Sequence, residues 1–238
     1  MKVFGHRGYS AKFPENSILA FMKAFEFGAD GVELDVREVK DGKVVVFHDE
    51  DLKRIFGDDR KVEDIRMEDL EKMSYSGQKT PKLEEVLKII PAGKWVIVEI
   101  KERRAAEDAI DIVKRQNLED RVIFSSFDHD LIEDLMKKHP DLKFAYLIGE
   151  RHADEDPKRL IERFLRTKPH SVHIPLDAFK MFPEMVRSMV KVLRENGIEI
   201  FVWNINDVRS YEEIKDLIDA VITDEVEDFV SARDENKS

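Results

Sequence analysis

Residues 95–125, WVIVEIKERRAAEDAIDIVKRQNLEDRVIFS, decide the fold class. An apolar run at 95–100 gives way to an amphipathic window at 104–116, and a second apolar run follows at 121–125. Strands this short and Val/Ile-rich suit a parallel sheet buried on both faces, with a helix as the crossover between neighbours. Working outward, the same alternation continues to both termini. Further candidate strands lie at 3–6, 31–35, 143–148, 170–174, 198–203 and 220–223. Candidate helices lie near 17–27, 82–90, 129–138, 156–166, 184–195, 208–217 and 226–233. Asp128 and Asp207 are suited to N-caps, and Gly28 and Gly197 to helix stops. Eight strand–helix units in 238 residues predict a (β/α)8 TIM barrel. The competing topology, a doubly wound open sheet, requires no eight-fold count.

One interruption falls after the second strand. Asp41-Gly42, flanked by β-formers, signals a tight hairpin that would carry His48 back beside Glu33 and Asp35. Residues 51–80 then form a polar excursion with one short helical window near 63–74. No Ser/Gly/Pro tract marks a linker, so residues 1–238 are expected to form one domain with a small insertion at about 51–80.

Composition narrows the function. The chain is 42% hydrophobic, enough for a sizeable core, and its net charge of -11 disfavours nucleic acid or an anionic membrane as partner. Zero cysteine leaves only oxygen or imidazole as metal ligands. No signal-like segment opens the chain and no run approaches ~20 apolar residues, so the cytoplasm is the expected location.

Barrel active sites form at the C-terminal strand ends. Ionisable residues crowd the first three: His6 and Arg7, Glu33 and Asp35, Glu99 and Lys101. Glu33 and Asp35 share one face of their strand, because side chains alternate with period two. Three convergent carboxylates need a positive partner. Either they pair with Arg7 and Lys101 in a metal-free network, or they hold an oxygen-preferring dication, Mg²⁺ or Ca²⁺, with Mn²⁺ a third option. Charges placed on strands at matching ends favour the metal. Arg7 and Lys101 then suit a phosphate, and His6 and His48 can exchange protons near neutral pH. His129, His139, His152, His170 and His173 are expected to be structural. Asn16 or Ser17 is expected to cap the first helix. Trp203 is either core packing or a wall for the substrate.

In order along the chain stand His6-Arg7-Gly8 with Glu15-Asn16, Glu33-Leu34-Asp35-Val36, Asp41-Gly42 and His48-Asp49. Then come residues 80–87 (TPKLEEVL), Glu99-Ile100-Lys101, Ser125-Ser126-Phe127, Trp203-Asn204-Ile205-Asn206 and Ile222-Thr223-Asp224. This ordered set resembles the glycerophosphodiester phosphodiesterase family in its short bacterial form. The resemblance implies a TIM barrel with a small insertion and a divalent metal on Glu33, Asp35 and Glu99, which Glu15 could join. It implies His6 and His48 as general acid and base, and Arg7 and Lys101 as phosphate ligands. The implied reaction cleaves glycerophosphodiesters to sn-glycerol 3-phosphate and an alcohol through a cyclic phosphate. One departure stands out: where many relatives carry Leu-x-Arg-Thr-Thr, this chain has Leu52-Lys53-Arg54-Ile55-Phe56-Gly57. Two alternatives remain. A lysophospholipase D-like enzyme would want apolar surface beside the mouth, for which Phe13, Phe56 and Phe179–Phe182 are candidates. A non-catalytic phosphate-binding barrel would have lost a histidine or a metal carboxylate, and none is lost.

Overall fold

The computed structural model describes residues 1–235. Nine strands form along them: β1 (Lys2–His6), β2 (Gly31–Glu38), β3 (Val44–Val46), β4 (Trp95–Ile100), β5 (Val122–Ser126), β6 (Lys143–Leu147), β7 (Ser171–Pro175), β8 (Glu199–Trp203) and β9 (Ala220–Thr223). All but β3 are parallel and run in the order β1-β9-β8-β7-β6-β5-β4-β2, which the β1–β2 pairing closes into a barrel. The expected TIM-barrel topology is the one found.

The strands look uniformly apolar in sequence because both faces are buried, but their side chains divide by period two. Phe4, Ile97, Ile123, Ala145, Phe201, Ala220 and Ile222 turn inward and pack together as the barrel filling. Leu34, Val36, Val98, Ile100, Phe124, Val172 and Val202 turn outward against the helices. Gly31 has no alternative: a Cβ there would collide with the Phe4 ring.

Helix ends follow the expected chemistry. Ser17, Asp128 and Asp207 accept from the backbone N–H of Ala20, Leu131 and Ser210, and Gly28 and Gly197 take positive φ of 91° and 78° after their helices. The helix expected at 184–195 has an unforeseen companion, Leu176–Met181. Pro183 explains the break, since a residue before proline is driven out of the helical region and Phe182 sits at φ -134° and ψ 56°. The window at 208–217 also divides, into Val208–Glu212 and a tighter turn at Lys215–Leu217.

β3 folds back antiparallel on β2, with Val36 opposite Val46 and Glu38 opposite Val44. The 51–80 excursion is less polar than its composition suggests. Within the expected window near 63–74 lies the short helix Met67–Leu70, preceded by a tighter turn at Val62–Asp64, and the excursion also contains an unexpected helix, Lys53–Phe56. Leu52, Val62, Ile65, Met67 and Leu70 bury themselves on Val39, Val45 and Phe47 of the hairpin, forming a second small core.

Candidate active site

Strand register brings the candidate residues together. His6 lies opposite Glu33, and Asp35 lies opposite Glu99. Glu33, Asp35 and Glu99 are buried, and each offers an oxygen within 4.8 Å of the others. Lys101 Nζ donates to Glu99 Oε1 at 2.5 Å and lies 3.4 Å from Asp35 Oδ1, while Arg7 Nε lies 3.3 Å from Asp35 Oδ2. Cations and carboxylates therefore do pair, but the two cations do not neutralise the whole cluster. Burial and the neighbouring Asp35 push Glu33 above the usual carboxylate range, and burial raises Glu99 despite Lys101. Burial would raise Asp35 too, but Lys101 and then Arg7 outweigh it and hold that carboxyl low. A divalent cation among these oxygens would allow all three to ionise. The all-carboxylate donor set fits such an ion.

The two histidines reach this cluster from different elements, each oriented by an aspartate. His6 Nδ1 is 2.7 Å from Asp224 Oδ1, at the end of β9, and Asp224 also accepts from Ser10 Oγ and Asn206 Nδ2. His48 arrives on the hairpin, where Phe47 N donates to Asp35 O and Arg37 Nε donates to His48 O. Its Nδ1 is 2.6 Å from Asp49 Oδ1. With Nδ1 committed in both rings, Nε2 is the atom left for other work. Burial opposes a charge on His6, but its bond to Asp224 and the field of Glu33 outweigh that and raise its pKa. Burial lowers His48, with Lys101 and Arg7 acting against the pull of Asp35.

The backbone of His6-Arg7-Gly8 is as specialised as its side chains. Arg7 and Asn16 both adopt left-handed conformations, φ 54° and 53°, which are costly for residues with a Cβ and concentrate at functional sites. The bend lets Arg7 N donate to Glu33 Oε2 and Arg7 O accept from Asn16 N. Gly8 has φ 86°, and a Cβ there would strike the backbone of Ala20 at 2.6 Å. Ser17 is the helix cap, which frees Asn16 to donate to Asp35 Oδ2 at 2.8 Å.

Glu15 lies outside the three-carboxylate group; Arg7 Nη1 donates to its Oε1 at 2.8 Å. Arg54, from the excursion, donates to both Glu15 oxygens at 2.7 and 2.8 Å and to both Asp49 oxygens at 2.6 and 3.0 Å. The residues standing in place of the threonines are apolar: Ile55 and Phe56 flank a cleft beside His48, where Phe56 stacks on Phe47 at 6.0 Å.

His6, Arg7, Glu33, His48, Glu99 and Lys101 line one cavity of about 200 Å³. Ser125, His173, Trp203 and Asn204 line it too. Trp203 is both things at once, packing edge-on to Phe127 at 5.7 Å and walling the cavity. Among the described residues, seven buried side-chain polar atoms lack a hydrogen-bond partner; Arg7 Nε is ion-paired to Asp35 at 3.3 Å, and four of the others belong to Ser125, His173, Trp203 and Asn204 of this cavity. Unpaired buried polar atoms are costly, so their convergence marks a place for a polar ligand. His173 packs on Phe201 and also lines this cavity, whereas His129 and His152 stack on each other elsewhere, 4.1 Å apart. Of the aromatic candidates for a lipid surface, Phe179 is buried and Phe13 and Phe56 are partly buried; Phe182 is exposed, beside Met181 and Met185. No helix among the described residues is long and apolar enough to cross a membrane.

The model of the glycerophosphoryl diester phosphodiesterase family matches residues 6–228. The chain belongs to that family. A glycerophosphodiester phosphodiesterase from Caldanaerobacter subterraneus subsp. tengcongensis is 34% identical over 96% of each chain. The crystal structure of a glycerophosphodiester phosphodiesterase from Thermotoga maritima is 46% identical and superimposes with a TM-score of 0.88 over 97% of both chains. An Oleispira antarctica phosphodiesterase, solved with its product sn-glycerol-3-phosphate, shares the fold at a TM-score of 0.85 with 23% identity, over 98% of this chain and 97% of that one. The chain is therefore a glycerophosphodiester phosphodiesterase, and its buried acidic triad could bind a divalent metal. The aspartates that orient the two histidines of this phosphodiesterase, and the arginine that grips one of them, stand in the sequence motifs without an assigned role. Asp224 stands in the ordered motif set, but its pairing with His6, 218 residues away, follows only from barrel closure.

Proposed function

We propose that this phosphodiesterase hydrolyses glycerophosphodiesters to sn-glycerol 3-phosphate and an alcohol, with residues 1–238 acting as one catalytic unit. The observation that carries the reading is the single cavity lined by two histidines, two cations and two of the three clustered carboxylates. Glu33, Asp35 and Glu99 would hold a divalent ion, Mg²⁺, Ca²⁺ or Mn²⁺, which when bound supplies electrostatic stabilisation of phosphoryl charge. Arg7 and Lys101 hold the phosphate oxygens, the guanidinium as a planar fork and the ammonium as a point charge. One imidazole, through Nε2, removes the proton of the neighbouring glycerol hydroxyl as its oxygen attacks phosphorus. The other gives a proton to the departing alcohol as the P–O bond to it breaks. Water then opens the resulting cyclic phosphate, with the two imidazoles exchanging roles. Asp224 and Asp49 keep each ring in the tautomer this requires.

The test is release of glycerol 3-phosphate from a panel of glycerophosphodiesters. His6→Ala and His48→Ala should each lower kcat by at least ~10²-fold with folding intact by circular dichroism. EDTA should abolish turnover, and one of the three ions should restore it. Near-full activity in both variants would overturn the proton-transfer scheme, and indifference to EDTA would remove the metal.

A further inference from the structure

The deep end of the cavity differs chemically from its mouth. Ser125 and His173 are 1% and 0% exposed; Phe201 lies beside His173 in the strand register, and Ile123, two residues before Ser125 on the same strand face, belongs to the apolar barrel filling. His173 is held in place on both sides: its ring stacks on Phe201 at 4.8 Å, and Nε2 is 3.0 Å from Ser171 Oγ. Its Nδ1 and Ser125 Oγ have no partner. Higher up, Asn204 Oδ1 is also unpaired, while its Nδ2 lies 3.1 Å from His6 Nδ1. Two buried groups able to donate or accept, set above a sealed apolar base, match a small neutral hydroxyl and not an anion or an alkyl chain. Head-group alcohols differ in size from one diester to the next, so they need the open side of the cavity. The part of the substrate that never varies can occupy the blind end.

We propose that Ser125 and His173 form a subsite for the free terminal hydroxyl of the glycerol moiety, the one not bonded to phosphorus and not the attacking group. The inference rests on the activity read above and makes it narrower. A glycerol whose terminal oxygen carries an acyl ester brings neither a donor nor a small enough group to this floor. The substrates are thus fully deacylated glycerophosphodiesters, and lysolipids acylated at that position are rejected. A site built to hydrogen-bond a hydroxyl discriminates strongly against the analogue without it, because its buried polar atoms are then left unpaired.

The test compares sn-glycero-3-phosphocholine with the phosphocholine diester of 1,2-propanediol, which keeps the attacking hydroxyl and lacks only the terminal one. 1-Acyl lysophosphatidylcholine is the third arm. The metal-loaded wild-type enzyme should prefer the glycerol diester by at least ~10²-fold in kcat/KM and leave the lysolipid intact. In Ser125→Ala and His173→Phe the preference should fall to within about threefold. Because the readout is a ratio of two substrates on one preparation, a partly folded variant does not distort it. Equal turnover of the two diesters by wild type, efficient cleavage of the lysolipid, or full discrimination in both variants would each overturn the subsite. A wild-type enzyme inert on both diesters would instead overturn the activity on which the subsite rests.

Discussion

At the scale of single residues, the site is built from two imidazole–aspartate pairs of unlike origin. His48 and Asp49 are adjacent in the chain, so that pair was visible in the motif. Asp224 directly follows the last strand and meets His6 only when β9 closes on β1. Asp224→Asn and Asp49→Asn should each lower kcat about ten- to a hundredfold with little change in KM, since they loosen ring orientation and leave the phosphate ligands in place. Steady-state kinetics on a glycerophosphodiester, with unfolding curves to exclude global damage, provides the check. Glu33, Asp35 and Glu99 were legible because period-two spacing on a strand fixes a face. The second task of Asn16 was not, because a cap and a carboxylate ligand look alike until the loop conformation is known.

At the scale of elements, the excursion matters more than its polar composition implied. Its helices are too short to show periodicity, which needs a window of about 11 or more residues. Its small core, in which Leu52, Val62, Ile65, Met67 and Leu70 pack on the hairpin, therefore leaves no periodic trace in the sequence. Through Arg54 this element grips Asp49, behind His48, and Glu15, behind Arg7. Half-exposed ion pairs contribute little to stability. Arg54→Ala should accordingly move the unfolding midpoint by no more than about 2 °C while lowering kcat/KM at least about tenfold. Lys53→Ala, on the same short helix and facing the exposed Asp59, serves as the control. Equal effects of the two substitutions would assign Arg54 no more than a surface role.

At the scale of the whole molecule, stability should fall in acid. Burial holds His129 down to about 4 and His173 to about 3. A second proton on His129 would find no acceptor: Nε2 donates to Leu147 O, Nδ1 is buried without a partner, and the ring lies on His152, itself lowered by burial. An unfolded imidazole takes up its proton near pH 6.5 and the folded one does not, so the unfolded state binds more protons between those values. The contribution is fully present above pH 6.5 and is lost as pH falls towards about 4, on the order of 3 kcal/mol for His129 alone. Urea unfolding at a series of pH values should show this slope, and His129→Phe should flatten it. The barrel itself was readable because eight repeats of one pattern leave few alternatives. The buried histidine stack was not, since it joins the helix after β5 to a turn after β6.

The packing of Phe4 against Gly31 has a bearing on the order of events in turnover. With Phe4, Ile97, Ile123, Phe201 and Ala220 filling its lower half, the described residues close the barrel beneath the cavity. Whatever enters deepest leaves last. The head-group alcohol, nearer the mouth, should depart first, and glycerol phosphate should follow through the same opening. Product inhibition then acquires a direction: sn-glycerol 3-phosphate is expected to compete with substrate, whereas the free alcohol should act non-competitively. A barrel with a second doorway would give no such sequence, and initial-rate measurements with each product added in turn would tell the two apart.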